Sequence, residues 1–226
     1  MTAAAEAPAR AAVFDFDGVI LDSADLKGEA LAALFADHPE HLPAILAHHD
    51  EHLGISRFEK FRWVYRELLR RPLSAAEERR LGERYSEWVV GRVLASPFVP
   101  GALELLRELA GRPVFVASGT PQEELERIVR RRGLSPWFTE VHGSPPGKEE
   151  ILRGVLDRHR LAPGEVLMVG DGVSDYRAAA AAGVRFAGRA ADGRFAGLGV
   201  PVIDDLRELR PLLGLSSGGR DEAIRA

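Results

Sequence analysis

Acidic side chains cluster at two points in the sequence, each at the end of an apolar, β-branched segment. Asp15 and Asp17 close the first segment, and Asp171 and Asp175 follow another. Residues two apart in an extended chain share a face, so Asp15 and Asp17 are expected to point to the same side. Carboxylates this close repel each other, so either some are protonated or a cation lies between them. Oxygen ligands alone favour a hard ion, and Mg²⁺ fits best.

A helix N-cap is the alternative role for an Asp at such a position. Both apolar segments end in acidic residues, and the first ends in two carboxylates on one face. This favours a shared site over separate helix caps. The metal interpretation therefore depends on the two segments lying side by side.

Two further motifs could bind an anion. Ser118 and Gly119 precede Thr120, which forms a capping-box pattern with Glu123. This pattern predicts that Ser118 and the Gly119 amide lie beside a helix N-terminus, a natural seat for phosphate. Lys148 stands at the start of a predicted helix, where a cation opposes the helix dipole, so we expect it to face an anion. A surface lysine is the alternative.

Together these residue types fit phosphoryl transfer. An ionised carboxylate can attack phosphorus without a base to activate it. Its neighbour can protonate the leaving oxygen and later activate water. Mg²⁺, Lys148, Ser118 and backbone N–H groups would neutralise the equatorial oxygens of the transferred group.

Short apolar segments alternate with helical ones along most of the chain. The apolar segments are 11–16, 113–117, 166–169, 184–187 and 201–203, and the helical ones between them are 102–110, 123–132, 149–160 and 175–182. Consecutive apolar residues are typical of strands buried on both faces of a parallel sheet. The pattern predicts an α/β fold with a doubly wound, mostly parallel sheet. Ligands bind such sheets at the carboxyl ends of the strands, so the motifs above would meet in one crevice.

The segment 24–96 breaks this alternation, because it has helical periodicity and no clear strand. Ser74 and Glu77 form a capping box that opens one of its helices. We therefore predict an all-helical cap domain inserted after the first strand. The expected boundaries are a discontinuous core of 9–23 and 97–214, a cap of 24–96, and flexible termini of 1–8 and 215–226.

Composition narrows the class of protein. The 226 residues are 46% hydrophobic with a formal net charge of −4, which argues against nucleic acid or an anionic membrane as a partner. The absence of cysteine excludes disulfides and thiol catalysis. No apolar run approaches the roughly 20 residues that span a bilayer, and the N-terminus lacks a signal-peptide pattern, so we expect a cytoplasmic protein. The oligomeric state is left open.

In order and spacing, the motifs resemble those of the haloacid dehalogenase-like hydrolase superfamily. The resemblance covers about 13–213 and rests on four motifs: Asp15-Phe16-Asp17-Gly18-Val19-Ile20-Leu21-Asp22-Ser23, Ser118-Gly119-Thr120, Lys148, and Gly170-Asp171-Gly172-Val173-Ser174-Asp175. A helical insert between the first two motifs is typical of the phosphoglycolate phosphatase and β-phosphoglucomutase-like branch. In that branch the insert is a mobile cap that closes over small phosphorylated substrates.

The resemblance also implies roles for individual residues. Asp15 would be the nucleophile that forms an aspartyl-phosphate, and Asp17 the general acid and base. Asp15, the Asp17 main-chain carbonyl and Asp171 would hold Mg²⁺, with Asp175 close by. Because Asp17 is present, the chain resembles the phosphate-processing members and not the dehalogenases, which lack that second carboxylate.

Three cations of the insert could bind substrate. Arg57 is expected in the first turn of a helix opened by Ser56, where the dipole disfavours a cation. Its loop resembles the cap specificity loop of β-phosphoglucomutase-like proteins. Lys60 lies one helical turn further on, and Lys27 stands near the place where many sugar-phosphate relatives have a histidine. Lys27 could contact a carboxylate or phosphate of the substrate, and solvent-exposed side chains are the alternative for all three cations.

Three histidines of the insert suggest a second metal site. His48 and His52 have helical i, i+4 spacing, with His49 between them. The acidic residue of an H-E-x-x-H motif is missing. We therefore favour a solvated helix face.

The sequence thus predicts a Mg²⁺-dependent phosphatase that hydrolyses a small soluble phosphate monoester through an aspartyl-phosphate. A sugar phosphomutase of the same fold would use the same residues. A protein that only binds a phosphorylated ligand is the third possibility, although a pure binder has no need of a nucleophile and an acid.

Overall fold

A parallel sheet forms the centre of the protein. The computed structural model describes residues 7–189 and 192–216, and the sheet within them has the strand order β3-β2-β1-β4-β5-β6. The strands are β1 (Ala11–Phe14), β2 (Val114–Pro121), β3 (Glu140–Ser144), β4 (Val166–Gly170), β5 (Arg185–Arg189) and β6 (Val202–Ile203). Every neighbouring pair is parallel. The predicted doubly wound α/β sheet is confirmed.

The two central strands are buried on both faces. In β1, Ala12 and Phe14 belong to one apolar cluster, whereas Ala11 and Val13 belong to another on the opposite side of the sheet. Side chains of a strand alternate between faces, so a run of consecutive apolar residues is what two covered faces require. This is why the sequence pattern located β1 and β4.

The sequence analysis missed strand β3. This strand pairs on one side only, with β2, and carries the half-buried polar residues Glu140 and His142. The Glu140 carboxylate accepts hydrogen bonds from Arg158 and lies 2.7 Å from Nε2 of His159, both near the end of the helix that follows. An edge strand that places polar side chains against a helix has no continuous apolar run to reveal it.

The helices of the core lie close to the predicted positions. They are α5 (Ala102–Glu108), α6 (Gln122–Arg131), α7 (Lys148–His159) and α8 (Val173–Ala182). The predicted capping box of Thr120 and Glu123 is wrong, because β2 continues through Pro121 and α6 begins at Gln122 without a side-chain cap. The Thr120 hydroxyl instead donates to the carboxylate of Asp17, so a tertiary contact takes the place of the local one.

The inserted block is helical, as predicted. It contains α1 (Ala24–Leu34), α2 (Leu42–Glu51), α3 (Arg57–Trp63), a π-helical turn (Val64–Leu68) and α4 (Ala75–Ala95). The limits 24–96 stay a prediction, and most of the predicted flexible termini, 1–6 and 217–226, lie outside the described residues. No helix in the described part of the chain is long and apolar enough to cross a bilayer.

The predicted capping box at the start of α4 is confirmed. Ser74 Oγ accepts a hydrogen bond from the Glu77 amide at 3.2 Å, and the Glu77 carboxylate accepts one from the Ser74 amide at 3.3 Å. Ser56 Oγ accepts from the Phe58 amide, so Ser56 is the N-cap of α3 as expected. Both caps satisfy amide groups that the first turn of a helix leaves without a partner.

Replacing the α4 cap tests this account of the insert. Ser74→Ala removes the acceptor for the Glu77 amide and should lower the free energy of unfolding by about 1 kcal/mol in urea denaturation. The matched control is Ser135→Ala, since the exposed Ser135 side chain forms no hydrogen bond within the described residues. Equal effects of the two substitutions would contradict a capping role.

Candidate active site

Strands β1 and β4 bring three carboxylates together. Phe14 pairs with Val169 in register, so the residues that follow each strand emerge at the same edge of the sheet. Asp15, Asp171 and Asp175 each place a carboxylate oxygen within 4.8 Å of the others. All three residues are buried, and Asp175 is fully so. The predicted meeting of the two acidic motifs is therefore observed.

Lys148 lies among these carboxylates. It is the first residue of α7, and its Nζ is 2.7 Å from Oδ2 of Asp15 and also contacts Oδ1 of Asp175. Burial opposes the charge of Lys148, but the carboxylates of Asp15 and Asp175 outweigh it and raise its pKa. Lys148 therefore faces an anion, as its unfavourable place at a helix N-terminus predicted.

One lysine does not neutralise three buried carboxylates. Burial is the main cause that raises the pKa of Asp15 to about 7, and the charge of Asp175 adds to it while Lys148 opposes it. Burial, followed by the charges of Asp15 and Asp175, also raises the pKa of Asp171. A divalent cation bound between these carboxylates would lower the pKa of Asp15 and of Asp171, because its positive charge favours their ionised forms. The all-oxygen donor set fits Mg²⁺.

Two glycines leave room around Asp171 and Asp175. At Gly18, with φ of +80°, a Cβ atom would stand 2.2 Å from Oδ2 of Asp171. At Gly170, a Cβ atom would lie 2.3 Å from the Cβ of Asp175. At these two positions the backbone lies closer to Asp171 and Asp175 than it could if the residue had a side chain, so glycine is required at both.

Asp17 has partners of its own. Its Oδ1 accepts a hydrogen bond from Ser23 at 2.7 Å, and its Oδ2 accepts one from Thr120 at 3.1 Å. Lys27 Nζ is 3.1 Å from the same Oδ2. Burial opposes the charge, but Lys27 and the two hydroxyl donors hold the pKa of Asp17 below its usual range. Asp17 is therefore ionised in this arrangement.

We predicted that Asp15 and Asp17 share one face of a strand, and this explanation of their proximity is wrong. Strand β1 ends at Phe14, before either residue. Both nevertheless line one cavity, although only the Asp15 carboxylate belongs to the acidic cluster among the described residues. The metal contact predicted through the Asp17 main-chain carbonyl stays a prediction.

The residues Ser118, Gly119 and Thr120 form another wall of the cavity. Ser118 is buried, and its Oγ accepts a hydrogen bond from the Thr120 amide at 3.1 Å. A Cβ atom on Gly119 would lie 2.5 Å from the carbonyl oxygen of Gly54, so the inserted block packs closely against this end of β2. Ser118 and Gly119 therefore lie at the end of β2, before α6 begins at Gln122, and Thr120 is not the N-cap that the sequence predicted.

The loop before α3 closes the cavity over Lys148. At Gly54, with φ of +82°, a Cβ atom would lie 2.7 Å from Lys148 Nζ. The preceding residue, Leu53, accepts a hydrogen bond at its carbonyl oxygen from Ser174 Oγ. The cavity is partly open to solvent and has a volume of about 50 Å³. Its lining includes Asp15, Asp17, Lys27, His49, Ile55, Arg57, Lys60, Tyr85, Ser118, Gly119, Thr120 and Asp171.

Arg57 reaches this cavity but already holds a carboxylate. Its guanidinium forms a two-pronged ion pair with Glu124 of α6, with Nη1 3.1 Å from Oε2, and also donates to Ser86 of α4. Its Cζ lies 4.3 Å from the ring centroid of Tyr85. Burial opposes the charge of Glu124, but Arg57 holds its pKa below the usual range. The predicted anion binder therefore joins the cap to the core, through a partner that the sequence analysis missed.

Lys60 is also buried in this wall, where its Nζ lies 2.6 Å from Nδ1 of His49. The prediction of a solvated face is wrong for His49, which is 4% exposed. The neighbouring residue, His48, lies outside this wall, and its ring stacks on Trp63 and His52, with a centroid distance of 3.8 Å to Trp63. Helix α2 thus turns two neighbouring histidines to different surroundings, and the described residues hold no metal cluster among them.

Comparison with known proteins identifies the family of the chain. The family model for haloacid dehalogenase-like hydrolases matches residues 9–183, and the chain belongs to this family. It is 27% identical over 180 residues to a phosphoglycolate phosphatase of Synechococcus elongatus, covering 77% of this chain and 81% of that one. These matches confirm the resemblance and the prediction of a phosphatase-type hydrolase.

Solved structures show the same fold. A predicted phosphatase from Clostridium acetobutylicum superimposes with a TM-score of 0.73 at 18% identity, covering 92% of this chain and all of the other (100%). CbbY from Rhodobacter sphaeroides, solved in complex with phosphate, gives a TM-score of 0.69 at 20% identity over 89% of this chain and 96% of that one. Both support an α/β core with a helical cap.

The ion pair between Arg57 and Glu124 predicts an asymmetric response to mutation. Glu124→Leu leaves a buried guanidinium without its carboxylate and should cost about 3–5 kcal/mol of stability. The double variant Arg57→Met/Glu124→Leu should recover most of that loss, because no unpaired charge remains. Urea denaturation of both variants measures the difference.

The exposed pair of Arg62 and Glu78 is the matched control, with Nε 2.6 Å from Oε1. Glu78→Leu should cost less than about 1 kcal/mol, since solvent screens that pair. If the double variant at Arg57 and Glu124 were as unstable as Glu124→Leu alone, the two side chains would not act as a pair.

Proposed function

We propose that the protein is a Mg²⁺-dependent phosphatase that hydrolyses a small phosphate monoester through an aspartyl-phosphate on Asp15. The observation that carries the proposal is the position of Asp15, in the lining of the cavity and 2.7 Å from Lys148. A buried carboxylate beside a lysine is well placed to attack phosphorus once a divalent cation offsets the charge of the two carboxylates next to it.

Asp15, Asp171 and the Asp17 main-chain carbonyl would hold the metal ion, with Asp175 close by. When bound, Mg²⁺ would neutralise negative charge on the transferred phosphoryl group and on the carboxylates around it. Lys148 also balances charge on Asp15, and its contact with Asp175 fixes the direction of its side chain.

In the first step, a carboxylate oxygen of Asp15 forms a bond to phosphorus as the bond to the ester oxygen breaks. The Phe16 amide donates to Oδ1 of Asp15 at 2.7 Å and holds the orientation of the carboxylate. Ser118 and the Gly119 amide are the chain's donors for the equatorial oxygens. Asp17 gives its proton to the leaving oxygen, so the alcohol departs neutral.

In the second step, Asp17 accepts a proton from water, which attacks phosphorus and releases phosphate from Asp15. The contacts of Asp17 with Lys27 and Thr120 favour this ionised form. The first step needs the protonated form, so substrate must loosen the contact between Lys27 and Asp17. Lys27 thus becomes available to the substrate when Asp17 gains its proton.

A phosphomutase would use the same residues and return the phosphoryl group to the substrate. The relative from Synechococcus elongatus is named a phosphoglycolate phosphatase, which favours transfer to water. A protein that only binds a ligand has no use for a buried nucleophile beside an acid. We therefore propose hydrolysis of a short phosphate monoester.

Asp15→Asn tests the nucleophile. The change removes the attacking charge with almost no change in volume, so phosphate release with Mg²⁺ should fall by about 10⁴-fold or more while the circular dichroism spectrum stays native. Asp157→Asn, an exposed site on α7, is the control and should retain full activity. Substantial activity of Asp15→Asn on a panel of phosphate monoesters would refute the assignment.

Asp17→Asn tests the acid. Release of the alcohol in the first turnover should slow by about 10²–10⁴-fold for an alkyl phosphate, because a poor leaving group needs the proton. For 4-nitrophenyl phosphate, whose leaving group is stable as an anion, the same step should slow far less. Rapid-quench measurement of the first turnover separates this step from hydrolysis of the aspartyl-phosphate. Equal losses for both esters would count against the acid role.

A further inference from the structure

The cap side of the cavity carries three cations, and one of them differs from the others. Lys27 is paired with Asp17 at 3.1 Å, and Arg57 is paired with Glu124. For Lys60, in contrast, no carboxylate among the described residues forms an ion pair with Nζ. Its polar partner is Nδ1 of His49, 2.6 Å away. Lys60 is only 5% exposed, so solvent does little to stabilise its charge.

His49 does not supply the missing negative charge. Burial and the charges of Lys60 and Lys27 lower the pKa of His49 to about 3, so the ring is neutral and its Nδ1 accepts a hydrogen bond from Lys60. Burial is also the main cause that lowers the pKa of Lys60 to about 7. A buried cation without a counter-charge is costly, and a bound anion would remove that cost.

The cap is shaped to hold this pair. Gly28 lies in the middle of α1, where glycine is unfavourable for a helix. A Cβ atom at Gly28 would lie 3.2 Å from Cδ2 of His49, so its absence gives the imidazole room between α1 and α2. The ring in turn fixes Lys60 on α3. Three helices of the insert therefore converge on one ammonium group.

The leaving group of a substrate must enter the cavity that Lys60 lines. Its ester oxygen has to come within reach of Asp17, which lines the same cavity as Lys60 and His49. The cavity volume of about 50 Å³ leaves space for a short group only. The charges of Asp171 and Asp50 favour the ammonium form of Lys60, but neither residue forms an ion pair with it. An anion carried by the leaving group would be the direct partner that Lys60 lacks among the described residues.

We propose that Lys60, positioned by His49, binds an anionic group on the leaving group of the substrate, so that the enzyme selects short phosphate monoesters with a second negative charge. This inference rests on the proposed phosphatase activity and assigns its specificity. The anion could be a carboxylate or a second phosphate, which share the same chemistry toward an ammonium group.

Matched esters test the selectivity. The probes are 2-phosphoglycolate, ethyl phosphate and ethane-1,2-diol bisphosphate. On the methylene next to the ester oxygen they carry a carboxylate, a methyl group and a phosphorylated hydroxymethyl group, respectively. Wild-type kcat/KM should be about 10- to 100-fold higher for at least one anionic ester than for ethyl phosphate. Whichever anionic ester is preferred identifies the anion.

Variants of Lys60 and His49 test whether these two residues cause the preference for an anionic ester. Lys60→Met should lower the ratio of kcat/KM between the preferred ester and ethyl phosphate by about tenfold, and Lys60→Arg should restore part of it. His49→Phe removes the acceptor and should raise KM for the anionic ester more than it lowers kcat. His48→Gln, one residue away on α2 and outside the cavity lining, is the control and should keep the wild-type ratio.

The outcomes separate the two claims. A wild-type ratio near one, or an unchanged ratio in Lys60→Met, overturns the specificity claim. If phosphate is still released in these experiments, the proposed phosphatase activity stands. Equal effects of His49→Phe and His48→Gln overturn the positioning role of His49. If wild-type protein with Mg²⁺ releases phosphate from none of the esters, the proposed function falls and the specificity claim falls with it.

Discussion

The structure depends on an excess of negative charge held out of water. Asp15, Asp171 and Asp175 meet beyond the ends of β1 and β4, and Lys148 contacts the carboxylates of Asp15 and Asp175. Burial, together with the repulsion among these carboxylates, raises the pKa of Asp15 and of Asp171. A divalent cation bound there would offset the negative charge of the carboxylates and that of an incoming phosphoryl group. The sheet has to place these side chains accurately, because a low dielectric strengthens every interaction among them.

The cap adds a second charge system to this one. Arg57 and Glu124 form a buried pair between the insert and α6, and the Leu53 carbonyl accepts a hydrogen bond from Ser174. These contacts hold the loop at Gly54 against Lys148, where it covers part of the cavity. In this closed arrangement the phosphate end of a substrate would meet the core, and the leaving group would meet the cap. One fold can therefore keep its chemistry while residues of the insert set its selectivity.

The sequence predicted the core of the site because its signals are local. Apolar runs located β1 and β4, so the carboxylates that follow them could be placed at one edge of the sheet. Lys148 could be identified because a cation at the start of a helix opposes the helix dipole. Contacts between distant segments were not predictable in this way. Glu124 lies 67 residues from Arg57, and His49 meets Lys60 only when α2 packs on α3. The capping pattern at Thr120 failed for the same reason, because Asp17 engages its hydroxyl.

The central claim is that the acidic cluster binds one divalent cation. Isothermal titration of Mg²⁺ into the wild-type protein, Asp171→Asn and the exposed control Asp157→Asn tests it without reference to any substrate. The account predicts a single saturable site in the wild-type protein and in Asp157→Asn. In Asp171→Asn the affinity should fall by at least about tenfold, since a ligand charge is lost. The absence of saturable binding in the wild-type protein, or equal affinity in Asp171→Asn, would contradict the account.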